Sequence, residues 1–376
     1  MSLQERENVK RARRVVVKVG TGALTAETGR FNRAHFEALC QDFSFAANGR
    51  ELVVVSSGAI ALGVERLGYA QRPKDIPGKQ ACAAAGQSRL VQAYEEALGR
   101  DGRRVAQILL THDDVQDRRR YLNAKHVMER LISEGVVPVV NENDTVSIDE
   151  IKFSDNDTLA GLVAALLEAD LLVILSDVEG LFSADPRRDP TATMLSDVAS
   201  LTPEVMALAG TSETGLGVGG MWTKIRAARR VTELGIPCLI TSGKIPGRLR
   251  QVLAGESVGT LFHPLVRSRT ARGAWIAHVL RPKGRLRVDD GARGAVVKGK
   301  RSLLPSGIRA VEGTFMQGDP VDLVDEQGQV FARGLAAYES GELRRIAGRQ
   351  SSEIESVLGY RYLDEAVHRD DLAVLS

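Results

Sequence analysis

Val15-Val16-Val17-Lys18-Val19-Gly20-Thr21-Gly22 decides how the rest of the chain is read. Four valines and one lysine form a continuous run, with arginines before it and glycines after it. An unbroken β-branched run describes a strand buried on both faces that ends in a tight turn. Lys18 interrupts that pattern, because an ammonium inside a buried strand is costly unless it reaches a partner or an anionic ligand. Two readings compete on this fragment alone. Lys18 is either an edge-strand lysine snorkelling to water, or it is delivered to the end of its strand, where glycine backbone can approach a phosphate closely.

The rest of the chain favours the second reading. Up to about Phe262 a short apolar run, a turn of small or polar residues and an amphipathic helix recur, with further runs at 52–55, 105–110, 136–140, 171–175 and 237–241. Such alternation predicts an α/β fold, an open and mostly parallel sheet sandwiched by helices. The runs are followed in order by Gly20-Thr21-Gly22, Ser56-Ser57-Gly58, Thr111, Asn141-Glu142-Asn143-Asp144, Ser176-Asp177 and Ser242-Gly243. Ligands of open parallel sheets bind outside the carboxyl ends of the strands, so these residues are expected to line one site with Lys18.

Two helix starts border the same edge. Ser154-Asp155-Asn156-Asp157-Thr158 precedes Leu159, Leu162, Val163, Leu166 and Leu167, which recur at helical spacing. A helix cap requires one of these polar residues; a succession of three beside the Asn-Glu-Asn-Asp turn exceeds that need. Gly215-Leu216-Gly217-Val218-Gly219-Gly220 precedes a helix expected to begin near Met221, with Lys224 in its first turn. Exposed backbone N–H groups and a positive dipole end suit phosphate there. A surface loop is the alternative, but it leaves a cation at a helix start, where the dipole disfavours it. The glycine spacing also matches the dinucleotide fingerprint, which requires a preceding strand that this sequence lacks. Walker A and protein-kinase signatures are absent.

A length of 376 residues favours two domains. Apolar content of 43% and charged content of 26% are those of a soluble globular protein, and a net charge of +2 gives no global argument for nucleic acid. Cys40, Cys82 and Cys238 are far apart and odd in number, which suits packed, reduced thiols. Residues 1–14 are charged and lack an apolar core, so no secretory signal is expected there. The most hydrophobic stretch, 159–175, is interrupted by Glu168 and Asp170, so no membrane span is expected and the chain is placed in the cytoplasm. The repeating pattern stops near His263. The expected domains are 1–263, a basic linker over 264–283 with one strand around Trp275, and a small, mainly β domain over 284–376. In that last domain a hairpin is expected from 321–324 and 329–334, and a helix over 351–358.

Taken together, these residues resemble the amino acid kinase superfamily, and within it the glutamate 5-kinases that carry a C-terminal PUA domain. The carriers are Val17-Lys18-Val19-Gly20-Thr21, Ser56-Ser57-Gly58-Ala59-Ile60, Asn141-Glu142-Asn143-Asp144, Asp155-Asn156-Asp157, Ser176-Asp177-Val178-Glu179-Gly180-Leu181, and residues 215–221 with Thr223-Lys224. The similarity spans nearly the whole chain. It implies phosphorylation of the side-chain carboxylate of L-glutamate by ATP with Mg²⁺, the first step of proline biosynthesis, feedback inhibition by proline, and a homo-oligomer. By position, Lys18 and Lys224 resemble the lysines that contact the transferring phosphoryl group, and Asp157 the carboxylate that orders them and the metal. Ser57, Asp144 and Asn156 resemble the glutamate-binding residues. Ser176 and Asp177, with Lys18 and the segment Val218, Gly219, Gly220, Met221, Trp222, Thr223 and Lys224, resemble the nucleotide-binding set. Ser176 stands where Thr is frequent, Val218 where a hydroxyl residue is frequent, and Trp222 is bulky before Thr223. Backbone amides are expected to bind there, so these departures imply altered nucleotide affinity at most. Mg²⁺ keeps several waters and leans on substrate phosphates, so no protein ligand is assigned to it.

The chemistry agrees independently. A glutamate side chain, with a reference pKa of about 4.3, is already ionised at neutral pH and needs no general base. Bringing one anion onto another instead calls for positioning and positive charge. N-acetylglutamate kinase, aspartokinase and uridylate kinase share the lysine strand and the glycine loop; the Asn-Glu-Asn-Asp and Asp-Asn-Asp pair and the C-terminal domain favour glutamate. A different class of function would rest on RNA binding by Lys298, Lys300, Arg301, Arg344, Arg345 and Arg349. Nearby Asp319, Asp322, Asp325 and Glu326 favour a solvated surface instead.

Overall fold

The computed structural model describes residues 2–26, 28–111, 114, 118–146, 156–209, 220–265 and 282–375. Its first unit, Met1–Arg267, is built on a sheet of eight described strands. They are β1 (Arg14–Val19), β2 (Glu51–Ser56), β3 (Arg104–Leu110), β4 (Val136–Glu142), β5 (Leu171–Ser176), β6 (Asp197–Val198), β7 (Cys238–Ser242) and β8 (Thr260–Phe262). All six apolar runs are strands, within two residues of the expected bounds. The short β6 and β8 were not foreseen. The order across the sheet is β3-β4-β2-β1-β5-β7-β8-β6, and every pairing is parallel except β7 with β8.

β1 therefore lies inside the sheet, and its alternation sorts its side chains between two cores. Val15, Val17 and Val19 pack with Leu39, Phe43 and Tyr94, from the helices Arg33–Ala46 and Ile76–Gly99. Val16 packs on the other face with Val163 and Val231, from the helices Asn156–Leu166 and Met221–Glu233. Each fully buried valine contributes about 1.5 kcal/mol or more, so the strand tolerates one lysine provided its ammonium is paired. Lys18 shares the parity of Val16 and is register-paired with Val55 of β2 and Ile174 of β5. Period-two alternation thus sends it to the face covered by the two helices whose starts the sequence singled out.

The helices Ala59–Arg66 and Ile76–Gly99 cross in backbone contact. A Cβ on Gly86 would lie 1.8 Å from the Ala59 carbonyl oxygen, so only glycine permits the crossing. This holds the long helix against the turn that carries Ser57.

The second unit, Ser268–Ser376, has its own core around Leu286, Val321, Leu323 and Ile354. Its strands β9 (Gly284–Val288), β10 (Ile308–Gly313), β11 (Pro320–Val324), β12 (Val330–Leu335) and β13 (Leu372–Val374) form a sheet ordered β10-β9-β11-β12-β13. The expected hairpin is β11 with β12. The expected helix is a 3-10 turn, Ser351–Glu353, running into the helix Ile354–Leu358. The strand proposed around Trp275 lies outside the described residues. Arg344 donates to Val311 O and Gly313 O, Arg345 to Val357 O, and Arg349 pairs with Glu353 at 3.5 Å. All three cysteines are buried and free. Among the described residues no helix is long and apolar enough to cross a membrane.

Candidate active site

At the carboxyl end of β1, Lys18 Nζ stands 2.5 Å from Asp157 Oδ1. Lys224 Nζ reaches Oδ2 of the same carboxylate at 3.2 Å, and Thr223 Oγ1 reaches Oδ2 at 2.8 Å. Lys18, Asp157 and Lys224 are 6%, 1% and 4% exposed. Asp157 occupies the first turn of the helix Asn156–Leu166, where the dipole favours a carboxylate. Lys224 occupies the first turn of the helix Met221–Glu233, where the dipole opposes it, and Asp157 offsets that conflict before any ligand arrives. Burial pushes the Asp157 carboxyl up; the charges of Lys18 and Lys224 and the hydrogen bonds from Lys18 and Thr223 more than offset this, holding it below the usual carboxylate range. Two ammoniums against one carboxylate leave the triad with a surplus positive charge away from water, an environment that favours an anionic ligand. A Cβ on Gly20 would come 3.2 Å from Lys18 Nζ, so the glycine lets the backbone pass close to the ammonium.

Asn156 adjoins Asp157 and begins the second half of the site. Its Nδ2 donates to Ser57 Oγ at 2.8 Å, to Asn141 Oδ1 at 3.0 Å and to Ser56 O at 3.3 Å. Asn141 Nδ2 continues the chain to Gln87 Oε1 at 2.9 Å. Ser57, Gly58, Asn141, Asp144 and Asn156 border one cavity of about 910 Å³. The three residues matched to glutamate binding, Ser57, Asp144 and Asn156, are therefore brought together.

On the other side of β1, Ser176 ends β5 and is buried, with Oγ donating to Asp177 Oδ1 at 2.9 Å; Asp177 itself is exposed. Gly220 caps the helix Met221–Glu233, and its carbonyl lies 2.9 Å from Thr223 Oγ1. Met221 and Trp222 are half-buried. Val218, Gly219 and Asp155 lie outside the described residues. Among the described residues no group of three or more His, Cys, Asp or Glu is placed to hold a metal ion.

Two polar residues of the site, Asn141 and Gln87, act behind the residues matched to glutamate binding. Asn141 stood in plain view, inside the Asn-Glu-Asn-Asp turn, and its burial at 3% exposure marks it as structural support for Asn156. Gln87 lies in the middle of the helix Ile76–Gly99, where nothing local distinguishes it from a surface glutamine.

Comparison with known proteins bears on both units. Residues 13–242 match the model of the amino acid kinase family, and residues 284–358 match that of the PUA domain. The chain is 69% identical over 370 residues to a glutamate 5-kinase of Myxococcus xanthus, covering 98% of each chain. It is 51% identical over 373 residues to a glutamate 5-kinase of Anaeromyxobacter dehalogenans, again covering 98% of each. Among solved structures, a carbamate kinase from Giardia lamblia bound to AMP-PNP aligns with a TM-score of 0.49 at 18% identity, covering 68% of this chain and 99% of that one. With the two family-model matches and the identity to these glutamate 5-kinases added to the parallel sheet and its lysine strand, the chain belongs to the amino acid kinase family, in its glutamate 5-kinase branch with a C-terminal PUA domain.

Proposed function

We propose that this enzyme transfers the γ-phosphoryl group of ATP to the side-chain carboxylate of L-glutamate, the first step of proline biosynthesis. The observation that carries the reading is the adjacency of Asn156 and Asp157. One helix start holds both the amide that faces the amino-acid cavity and the carboxylate that gathers the phosphoryl lysines. A carboxylate oxygen of glutamate attacks the γ-phosphorus, the bond to the β–γ bridging oxygen breaks, and ADP leaves. The nucleophile is already ionised, so no side chain has to remove a proton. Lys18 and Lys224 supply charge to the phosphoryl oxygens, and Asp157 fixes their positions.

Asp144 and Asn156 face the amino-acid cavity, where they would take the α-ammonium, and Ser57 offers its hydroxyl to a carboxylate. Ser176, Asp177 and the segment 218–224 would hold the nucleotide. Both Asp157 oxygens face lysine ammoniums, so the residues present suit a magnesium ion held by ATP rather than by a protein cage. When bound, that ion would neutralise phosphate charge. Trapping the acyl phosphate with hydroxylamine tests the reading: hydroxamate should form from glutamate in preference to aspartate and N-acetylglutamate. No hydroxamate, or a preference for N-acetylglutamate, would overturn it.

Inhibition by proline, a homo-oligomer and a cytoplasmic location belong to the same proposal. Proline titrated into the hydroxamate assay should lower the rate, light scattering should give a mass above the 40.6 kDa of one chain, and cell fractionation should leave the enzyme in the soluble fraction. An unaffected rate, a monomer or a membrane pellet would remove each in turn. Of the six basic residues that could bind RNA, Arg344, Arg345 and Arg349 hydrogen-bond or pair within their own unit, which weighs against that reading. A salt-dependent gel shift with bulk tRNA would reverse that.

A further inference from the structure

The hydrogen-bond chain behind the amino-acid cavity has a direction. Ser56 O is a backbone carbonyl and only accepts, so the Asn156 group facing it is the amide nitrogen. The same nitrogen faces Asn141 Oδ1, which turns Asn141 Nδ2 towards Gln87 Oε1. Asn156 Nδ2 thus has three acceptors for two hydrogens, and its Oδ1 accepts no hydrogen bond among the described residues. Ser57 Oγ, by accepting from Asn156, keeps its own hydrogen for another acceptor. Asn156 and Ser57, which carry this acceptor and this donor, line the same cavity as Asp144.

Gln87 closes the chain at its far end. Its Nε2 is buried without a hydrogen-bond partner among the described residues, so its polar role is that of an acceptor. Its backbone cannot retreat, because the preceding Gly86 packs against the Ala59 carbonyl. Without the Gln87 oxygen, the buried Asn141 Nδ2 would lose its partner, and a buried unsatisfied amide is costly enough to turn Asn141 or displace it.

We infer that Gln87 is a positioning residue for amino-acid recognition: by accepting from Asn141 it holds Asn141 Oδ1 against Asn156 Nδ2, and so secures the orientation, anchored by Ser56 O, in which Asn156 presents Oδ1, and not an N–H, to the α-ammonium of the substrate. This rests on the proposed glutamate kinase reading. It assigns to a half-buried, neutral helix residue a share of the selection for a free amino group.

Steady-state kinetics on the full chain test it, with Gln87→Met, which removes the acceptor at similar volume, and Gln87→Glu, which keeps an oxygen at the same reach. Gln87→Met should raise KM for glutamate about tenfold or more, the effect of a lost charge-assisted contact, with kcat and KM for ATP moving less than about threefold. Glutarate keeps both carboxylates and lacks the ammonium, so its inhibition constant should not follow. Gln87→Glu should recover most of the affinity for glutamate. An unchanged KM in Gln87→Met, or parallel losses for glutamate and glutarate, would overturn the inference while the wild-type enzyme still turns glutamate over. A wild-type enzyme inert towards glutamate would instead defeat the functional reading beneath it. Gln87→Ala, a good helix former, serves the same comparison if Gln87→Met does not fold.

Discussion

The two halves of the site meet at neighbouring residues and are made of opposite materials. Lys18, Asp157 and Lys224 form a buried cluster of full charges with a positive surplus, whereas Gln87, Asn141, Asn156 and Ser57 form a neutral chain of amides and a hydroxyl. Charges act with little regard for direction and strengthen as an anionic transition state gathers charge. Amides act through direction, since an oxygen and an N–H at the same place select opposite ligands. The difference separates the tasks: the ionic half should govern kcat and the amide half KM for the amino acid. It also separates the cost of damage. Breaking a buried ion pair from one side typically costs about 3 to 5 kcal/mol, while an orphaned neutral group costs about 1 to 3.

Asp157→Asn would strain this division most. It leaves two buried ammoniums side by side, so stability should fall by about 3 to 5 kcal/mol, read as a lower urea midpoint, and turnover should be lost. A stable, active variant would mean that the lysines do not depend on their carboxylate. The pH dependence carries the same sign. Because the folded-state pKa of Asp157 is depressed, its stabilising contribution is complete above the unfolded value of about 3.9 and disappears only as pH falls through the lower folded value.

Asp144→Asn probes the other half. Loss of a charged partner for the α-ammonium should raise KM for glutamate about ten- to two-hundredfold, with KM for ATP nearly constant. A near-normal KM would demote Asp144 to a turn-former bonded to its own backbone. The smallest effect is expected from a chain ending at Pro264. Both halves of the site lie in the first unit, so the truncated chain should keep kcat and KM within about threefold, as a separately folding domain would. A folded truncation without turnover would show that the PUA unit supports the site.

How much of this was legible in the sequence follows from how local each signal is. The six longer strands announce themselves because a strand covered on both faces must be apolar throughout, and 15–19 or 171–175 can hardly be anything else. β6 and β8 are too short for such a pattern: Asp197–Val198 is two residues, and Thr260–Phe262 is an antiparallel strand near one margin of the sheet. Lys18 and Lys224 were visible as lysines in positions unfavourable to lysine. Asp157 read from its own surroundings is a helix cap; the family resemblance pairs it with the two lysines, and the fold brings its carboxylate between them. Gln87 was illegible, because its role depends on a helix crossing set by Gly86 and on an asparagine some fifty residues away, 54 by the sequence separation of that hydrogen bond.

The division between the halves is tested most directly by Lys224→Ala. Removing one ammonium leaves Lys18 and Asp157 as a neutral pair, so the fold should be preserved while the surplus charge disappears. In this variant kcat should fall by about a hundredfold or more, the cost of a contact realised mainly in the transition state, while KM for glutamate stays within about threefold. A variant with kcat intact and KM for glutamate raised would contradict it, because the lysine would then belong to amino-acid binding and the two halves would not be separate.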